Sequence, residues 1–437
     1  MTTTTSAPVV GAVKTRRMSA IAFAGAIGTI IEWYDFLIYG TAAALVFNGL
    51  FFPNIDPRIG TLASLGSFAV GFLARPIGGV IFGHFGDRIG RKSMLMLTMI
   101  GMGLSTALIG VLPTYAQAGI WAPLLLVLLR IVQGIALGGE WGGASLMVLE
   151  HAPPHRRGVF GSLVQVGFPI GLVSASAVFS GLVAVLPDAD FKSWGWRVPF
   201  LLSVFLIAVG LFVRARLPET PIFEEIKARG QIVRSPVVEM LFSNPRSFLV
   251  AIGLKLSEVS WVYMLTVFVV VYATTELGMP KSLMLNAVFI GALLELFTIP
   301  LFGHFSDLFG RRSLYFAGVA FTILFAFPLF WLLDMKSTGI VICTVAVALN
   351  LGHGLMFAPE STYFPELFGP NVRYSGASFG FQVAAAIGGG FAPMIAAALV
   401  AYMGGTAGVS IMMILLALVT LTATLFARET KGEALLN

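Results

Sequence analysis

Long apolar runs separated by short polar loops set the rhythm of this chain. Each is long enough to cross about 30 Å of hydrocarbon, which takes roughly 20 residues of helix. Twelve spans are expected, at 19–50, 58–85, 94–112, 121–150, 159–186, 195–216, 247–276, 281–306, 314–334, 339–366, 374–404 and 406–427. Continuous apolar stretches without period-two alternation predict helices and not barrel strands. The one sizeable polar stretch, 217–246, divides the spans six and six. The expected organisation is a tail (1–18), a six-helix bundle (19–216), a central loop (217–246), a second six-helix bundle (247–427) and a closing tail (428–437). This is an all-α integral membrane protein of twelve transmembrane helices in two halves.

Composition narrows the class. Hydrophobic residues make up 57% of the chain and charged residues 11%, with mean hydropathy +0.91, more apolar than a water-exposed surface tolerates. The lone cysteine, Cys343, leaves no disulfide framework and no Cys-based zinc site. The net charge of +6 sits in short basic clusters between spans, the pattern of cytoplasmic loops and not of a nucleic-acid surface. Outer segments hold Arg58, Lys192, Arg197, Lys281 and Lys336, and the spans hold Arg75, Arg130 and Lys255. The other basic residues lie in the first tail, in loops 88–92, 156–157, 214–246 and 311–312, at 373 and at the end. That asymmetry places both termini in the cytoplasm of a multi-pass cell-membrane protein. The opening MTTTTSAPVVGAVKTRR lacks the parts of a signal peptide. There is no P-loop, no H-E-x-x-H and no Cys/His cluster, so no ATP hydrolysis, metal, other cofactor or enzyme chemistry is expected.

The chain also repeats itself. GHFGDRIGRK (83–92) returns as GHFSDLFGRR (303–312), 220 residues on. At the same offset Arg130 faces Asn350, Gln133 faces His353, Gly134 faces Gly354 and Glu140 faces Glu360; EHAPPHRR (150–157) parallels ELFGPNVR (366–373). Two like-oriented halves, related by an axis along the membrane normal, are a transporter architecture with its substrate site between them near midplane.

These residues carry a family resemblance. GHFGDRIGRK resembles the loop 2–3 signature of the major facilitator superfamily, G-x-x-x-D-R-x-G-R-R/K, and RIVQGIALGGEWGG (130–143) its fourth-helix signature. With IEWYDFLIYG (31–40), SWGWRVPF (193–200) and RLPETPIFEE (216–225), the chain is similar to the metabolite:proton symporter group. KLSE (255–258) and RYSGASFGFQVAAAIGGGFAP (373–393) look closest to shikimate-type carriers. GFPIG (167–171) departs from the Gly-Pro-Gly-Gly pattern of drug/proton antiporters, which lowers the exporter reading. The resemblance implies proton-coupled import of a small organic acid by alternating access, with a monomer as the working unit. Dicarboxylates, citrate and betaine- or proline-like zwitterions stay open as substrates, and a non-transporting sensor is the rival from another class.

Charges at bilayer depth are expensive and need a partner or a purpose. Glu32, Asp35 and Tyr39 share one face of the first span; Arg130, Gln133 and Glu140 share a side of the fourth; Lys255 and Glu258 lie one turn apart on the seventh. Arg130, Lys255 and Arg75, with Gln133 and Tyr39, are candidates to hold an anion, because a guanidinium grips a carboxylate through two bonds. Asp35, Glu32, Glu258 and Glu140 are candidates to carry the proton. A carboxyl in a low-dielectric setting keeps its proton more readily and a neighbouring cation opposes this, so anion and proton binding become linked. Structural readings stand beside these: Lys255–Glu258 as a neutralised intrahelical pair, Glu140 as a bond to a neighbouring helix, Arg75 and Glu295 as local partners, His353 as a packing residue. Trp33, Tyr263 and Phe379 are aromatics able to stack on a cyclic substrate.

The repeated loop points to gating. Gly83 and Gly303 allow close packing, and Gly90 and Gly310 suit a tight turn. Asp87 and Asp307 can accept bonds from Arg91 and Arg311, or from nearby helix N-termini, latching the inner face. Arg88, Glu150, Arg157, Glu366 and Arg373 complete the gating set. The second copy has Ser306 for Gly86 and Leu308 for Arg88, so the first latch is expected to matter more.

Overall fold

A computed structural model of the chain describes residues 7–53 and 57–435, with side chains at all of these except 7–17, 44, 57–65 and 68. The side chains of Arg58 and of the basic residues of the first tail therefore lie outside what is described. Twelve described helices are long and apolar enough to cross a membrane. They are α1 Met18–Phe51, α2 Ala69–Ile89, α3 Arg91–Val111, α4 Trp121–His151, α5 Pro154–Val185, α6 Gly195–Ala215, α7 Pro245–Thr275, α8 Lys281–Phe309, α9 Arg311–Asp334, α10 Thr338–Glu366, α11 Arg373–Met403 and α12 Ala407–Phe426. No strand occurs among the described residues.

The packing repeats as the sequence does. In the first six helices α1 lies on α5, α2 on α4 and α3 on α6; in the last six α7 lies on α11, α8 on α10 and α9 on α12. Across the molecule α2 runs along α11 and α8 along α5. Glycines permit the tightest of these seams: a Cβ on Gly134 would stand 2.3 Å from the Gly71 carbonyl oxygen, and one on Gly138 2.2 Å from that of Arg75. Short turns of wider, π-type helix interrupt α1 (Ala43–Phe47), α7 (Met264–Phe268), α10 (Ala348–Gly354) and α11 (Ala386–Phe391). Two short helices, Pro221–Ala228 and Pro236–Ser243, organise the stretch between α6 and α7. Ile222 and Ile226 of the first of them form an apolar cluster with Leu149 of α4 and Leu435 near the chain's end.

One expected loop cation is misplaced in the sequence reading. Arg214, counted there with the central loop, lies buried inside α6. It pairs through two nitrogens with Glu140, which also accepts from Thr98 at 2.8 Å, and it donates to the Leu95 carbonyl at 3.0 Å. Arg214 falls within the expected span 195–216, so its counting as a loop charge is what changes and not the end of the helix. Removing one partner of such a pair strands the other in a dry interior, at a cost of about 3–5 kcal/mol. Arg214→Leu is therefore expected to lower the thermal unfolding midpoint markedly, and Glu140→Leu/Arg214→Leu together to recover much of it; equal midpoints for the single variant and the parent would refute the pairing.

Candidate substrate and proton site

A hydrogen-bonded chain runs through the first six helices from an acid to a cation. Asp35 of α1 accepts from Ser203 of α6 at 2.5 Å and from Thr106 of α3 at 2.9 Å. Gln133 of α4 donates to Thr106 at 2.7 Å and accepts from Arg130 at 2.5 Å. The Arg130 guanidinium lies over the rings of Tyr39 (4.2 Å) and Phe36 (4.9 Å), and Tyr39 exchanges a 2.6 Å bond with Ser67. Thr106 and Gln133 thus join the Asp35 carboxyl to the Arg130 guanidinium without direct contact between the two. Any change of charge at one end is felt at the other through polarised bonds.

The last six helices carry a second, more heavily charged line. Lys255 of α7 contacts Glu258 at 2.5 Å and Glu360 of α10 at 2.8 Å. His353 of α10 contacts Glu258 at 2.9 Å and Glu295 of α8 at 2.6 Å. Gln165 of α5 reaches across from the first six helices, donating to the Phe357 carbonyl at 3.0 Å and approaching Glu360 at 3.4 Å, while accepting from Trp141 at 2.9 Å. The i,i+3 pair Lys255–Glu258 was readable from spacing; its two outer partners were not.

Between these lines lie Arg75, Tyr263 and Glu32, each with a buried polar atom that makes no hydrogen bond among the described residues. Arg75 of α2 has no carboxylate within 4 Å among the described residues, and its guanidinium rests on Phe36 (4.5 Å) and Phe72 (4.7 Å). The Tyr263 hydroxyl of α7 and one carboxylate oxygen of Glu32 make no hydrogen bond among the described residues. Tyr263 meets Phe72 edge-on at 5.4 Å, and Arg75 is the strongest opposite charge acting on Glu32. Trp33, Phe168 and Phe357 extend the aromatic wall, with Trp33 and Phe168 rings 4.7 Å apart. Phe379 instead lies tilted against Phe248, with ring centroids 5.1 Å apart, on another part of α11. Buried polar groups without partners are uncommon and mark places where a bound molecule or water completes the set.

At one face, rich in basic residues, the two sets of six helices are tied twice in the same way. Asp87 accepts from the backbone N–H groups of Tyr374 (3.2 Å) and Ser375 (2.9 Å) at the start of α11; Asp307 accepts from Gly158 (2.8 Å) and Val159 (2.9 Å) at the start of α5. Carboxylates at helix N-termini are favoured by the aligned peptide dipoles. Arg91 holds Asp87 (3.5 Å) and Glu150 (3.6 Å), and Glu150 also meets Arg373 (3.7 Å). In the mirror position Arg311 holds Asp307 (2.7 Å) and Glu366 (3.5 Å), and Glu366 meets Arg157 (3.9 Å). Gly83 sits so close to Ser375 that a Cβ would fall 2.7 Å from its Cα, and Gly90 (φ 132°) and Gly310 (φ 96°) turn the chain into α3 and α9. Arg88 stands apart: it is exposed and bonds only to His84, at 3.3 Å, among the described residues.

Residues missed by the sequence reading bind the turns from behind. Glu219 accepts from the N–H groups of Arg91 (3.2 Å) and Lys92 (3.2 Å), and Glu429 from those of Arg311 (2.9 Å) and Arg312 (3.0 Å). The signal was there: a Glu-Thr pair follows each sixth span, at 219–220 and 429–430. Arg157 and Arg373 further donate to the backbone carbonyls of Glu433 (2.6 Å) and Leu435 (2.7 Å), so the closing tail is part of the tie. Asp87→Asn should weaken this closure by about 1.4 kcal/mol, or tenfold. Maleimide labelling of Ser378→Cys, in a Cys343→Ser background, should speed up accordingly; an unchanged rate would remove Asp87 from the closure.

Two pseudo-symmetric six-helix sets, tied at one face around a buried charged and aromatic centre, define a membrane carrier. A family model of the Major Facilitator Superfamily matches residues 26–393. The shikimate transporter of Escherichia coli K12 is 45% identical, over 90% of this chain and 89% of its own. The inner membrane metabolite transport protein YhjE of the same organism is 42% identical, over 94% of each. The solved structure of the proton:xylose symporter XylE bound to 6-bromo-6-deoxy-D-glucose shares the fold, with TM-score 0.79, 18% identity and coverage of 97% of this chain and 98% of that one. The chain belongs to the Major Facilitator Superfamily: it is a multi-pass membrane transporter and not an enzyme.

Proposed function

We propose that this carrier imports a small organic acid, shikimate or a related cyclic carboxylate, together with protons. The observation that carries this reading is the continuous chain Asp35–Thr106–Gln133–Arg130. A substrate carboxylate drawing the Arg130 guanidinium towards itself loosens that chain, and a proton on Asp35 compensates. Arg75 and the Tyr263 hydroxyl supply the second anion contact, Glu32 meets a substrate hydroxyl, and the aromatic wall takes the ring. Lys255 is already matched by two carboxylates, so in this reading it tunes the site and does not grip the anion alone.

The basic face is cytoplasmic, with both termini, in keeping with the distribution of Lys and Arg. The carrier acts as a monomer in the cell membrane. Two bundles, 19–216 and 247–427, joined by 217–246, rock about the central site and part the Asp87 and Asp307 ties to release substrate inside. The 45% identity to a shikimate transporter over nine-tenths of the chain supports the substrate class. Purified protein in liposomes, given labelled shikimate and an inward proton gradient, is expected to accumulate it above equilibrium and to lose this with an ionophore. Binding without flux in the same liposomes would instead identify a sensor.

A further inference from the structure

His353 occupies an unusual position. Its Nε2 stands 2.9 Å from a Glu258 oxygen and its Nδ1 2.6 Å from a Glu295 oxygen, so both ring nitrogens face carboxylates from two different helices. A neutral imidazole has one donor and one acceptor, and an ionised carboxylate only accepts. Two nitrogen–oxygen contacts need two hydrogens, whereas a neutral ring with two carboxylates offers one. The trio therefore holds one proton more than that set.

Its surroundings agree. From α7 the neighbouring charges are Glu258 and Lys255, from α8 Glu295, from α10 Glu360, and α9 brings the Tyr315 phenol near Glu258 and Glu360. From α5 the Phe168 ring faces His353, at 5.3 Å, and Phe357 of α10 stacks on it at 4.4 Å. Three carboxylates thus face one lysine in a buried cluster. A cationic ring reduces the excess negative charge from two to one, and buried charge demands such compensation. His353 also sits in the π-type turn Ala348–Gly354, a local widening frequent at functional sites.

We infer that Glu258, His353 and Glu295 form a second proton-binding site, separate from Asp35, which is loaded while the cytoplasmic face is closed. Its link to opening is Gln165, which crosses from the first bundle to Glu360 and the Phe357 carbonyl. Parting the bundles withdraws Gln165 and admits water. The Nε2–H bond of the imidazolium then breaks, its proton passes to water, and Glu258 is left to Lys255 while the neutral ring keeps its Nδ1–H bond to Glu295. The transport role rests on the proposed carrier reading; the protonated state does not.

The test is nitrogen-15 NMR of full-length protein in lipid, with ring-labelled histidine and His353→Gln to identify the signal among the five histidines. At neutral pH the His353 signal should be that of an imidazolium, with hydrogen on both nitrogens, and Glu295→Gln should convert it to a neutral ring. A neutral ring in the parent protein overturns the site. In liposomes, loss of one coupled proton lowers the attainable shikimate gradient about tenfold per pH unit, so His353→Gln and Glu295→Gln should each show that loss with counterflow retained. An unchanged gradient in both overturns the coupling. If the parent shows no proton-driven uptake while the imidazolium is present, the carrier reading fails and the proton site stands.

Discussion

Arg130→Ala is expected to cut proton-driven uptake of the organic acid about a hundredfold, with the protein still inserted and folded. Removing one member of a buried charged contact typically costs about 2–5 kcal/mol, and each 1.4 kcal/mol is tenfold. Arg130 is held by Gln133 at 2.5 Å and lies over two aromatic rings, so its fork is fixed before substrate arrives. Arg130→Lys keeps the charge but loses the planar fork, and should fall between parent and alanine variant. Uptake at parental affinity in the alanine variant would take Arg130 out of the site.

Asp35→Asn should separate two activities. Ser203 and Thr106 donate to different oxygens of the acid, so the amide oxygen keeps one of these two bonds, yet the amide cannot gain or lose a proton in the working range. The attainable gradient should fall about tenfold per unit of imposed pH difference, one coupled proton being lost, while exchange of labelled for unlabelled substrate continues. An Asn variant that reaches the parent's gradient at every imposed pH difference would show that Asp35 carries no coupled proton.

The fold was legible because its causes are local. Span length, apolar continuity and the repeated GHF–D–GR turns each act within a few dozen residues. Arg214 shows the limit: it follows an apolar run and precedes RLPET, and its placement depended on Glu140 waiting on another helix. The site divides the same way. Asp35 and Glu32, or Lys255 and Glu258, share faces that spacing alone defines. That Glu360 meets Lys255, or that His353 lies between Glu258 and Glu295, depends on how α7, α8 and α10 rotate against each other. His353 read as packing for this reason; a lone histidine on an apolar span carries no mark of two acids from other helices.

Leu435 gives a practical opening into all of this. It sits in an apolar nest of Leu149, Ile222 and Ile226, one carbonyl away from Arg373. A polarity-sensitive dye placed there would glow while the nest is dry and dim as it floods. Each cycle of the carrier would then become an optical signal, readable in real time before any substrate has been named.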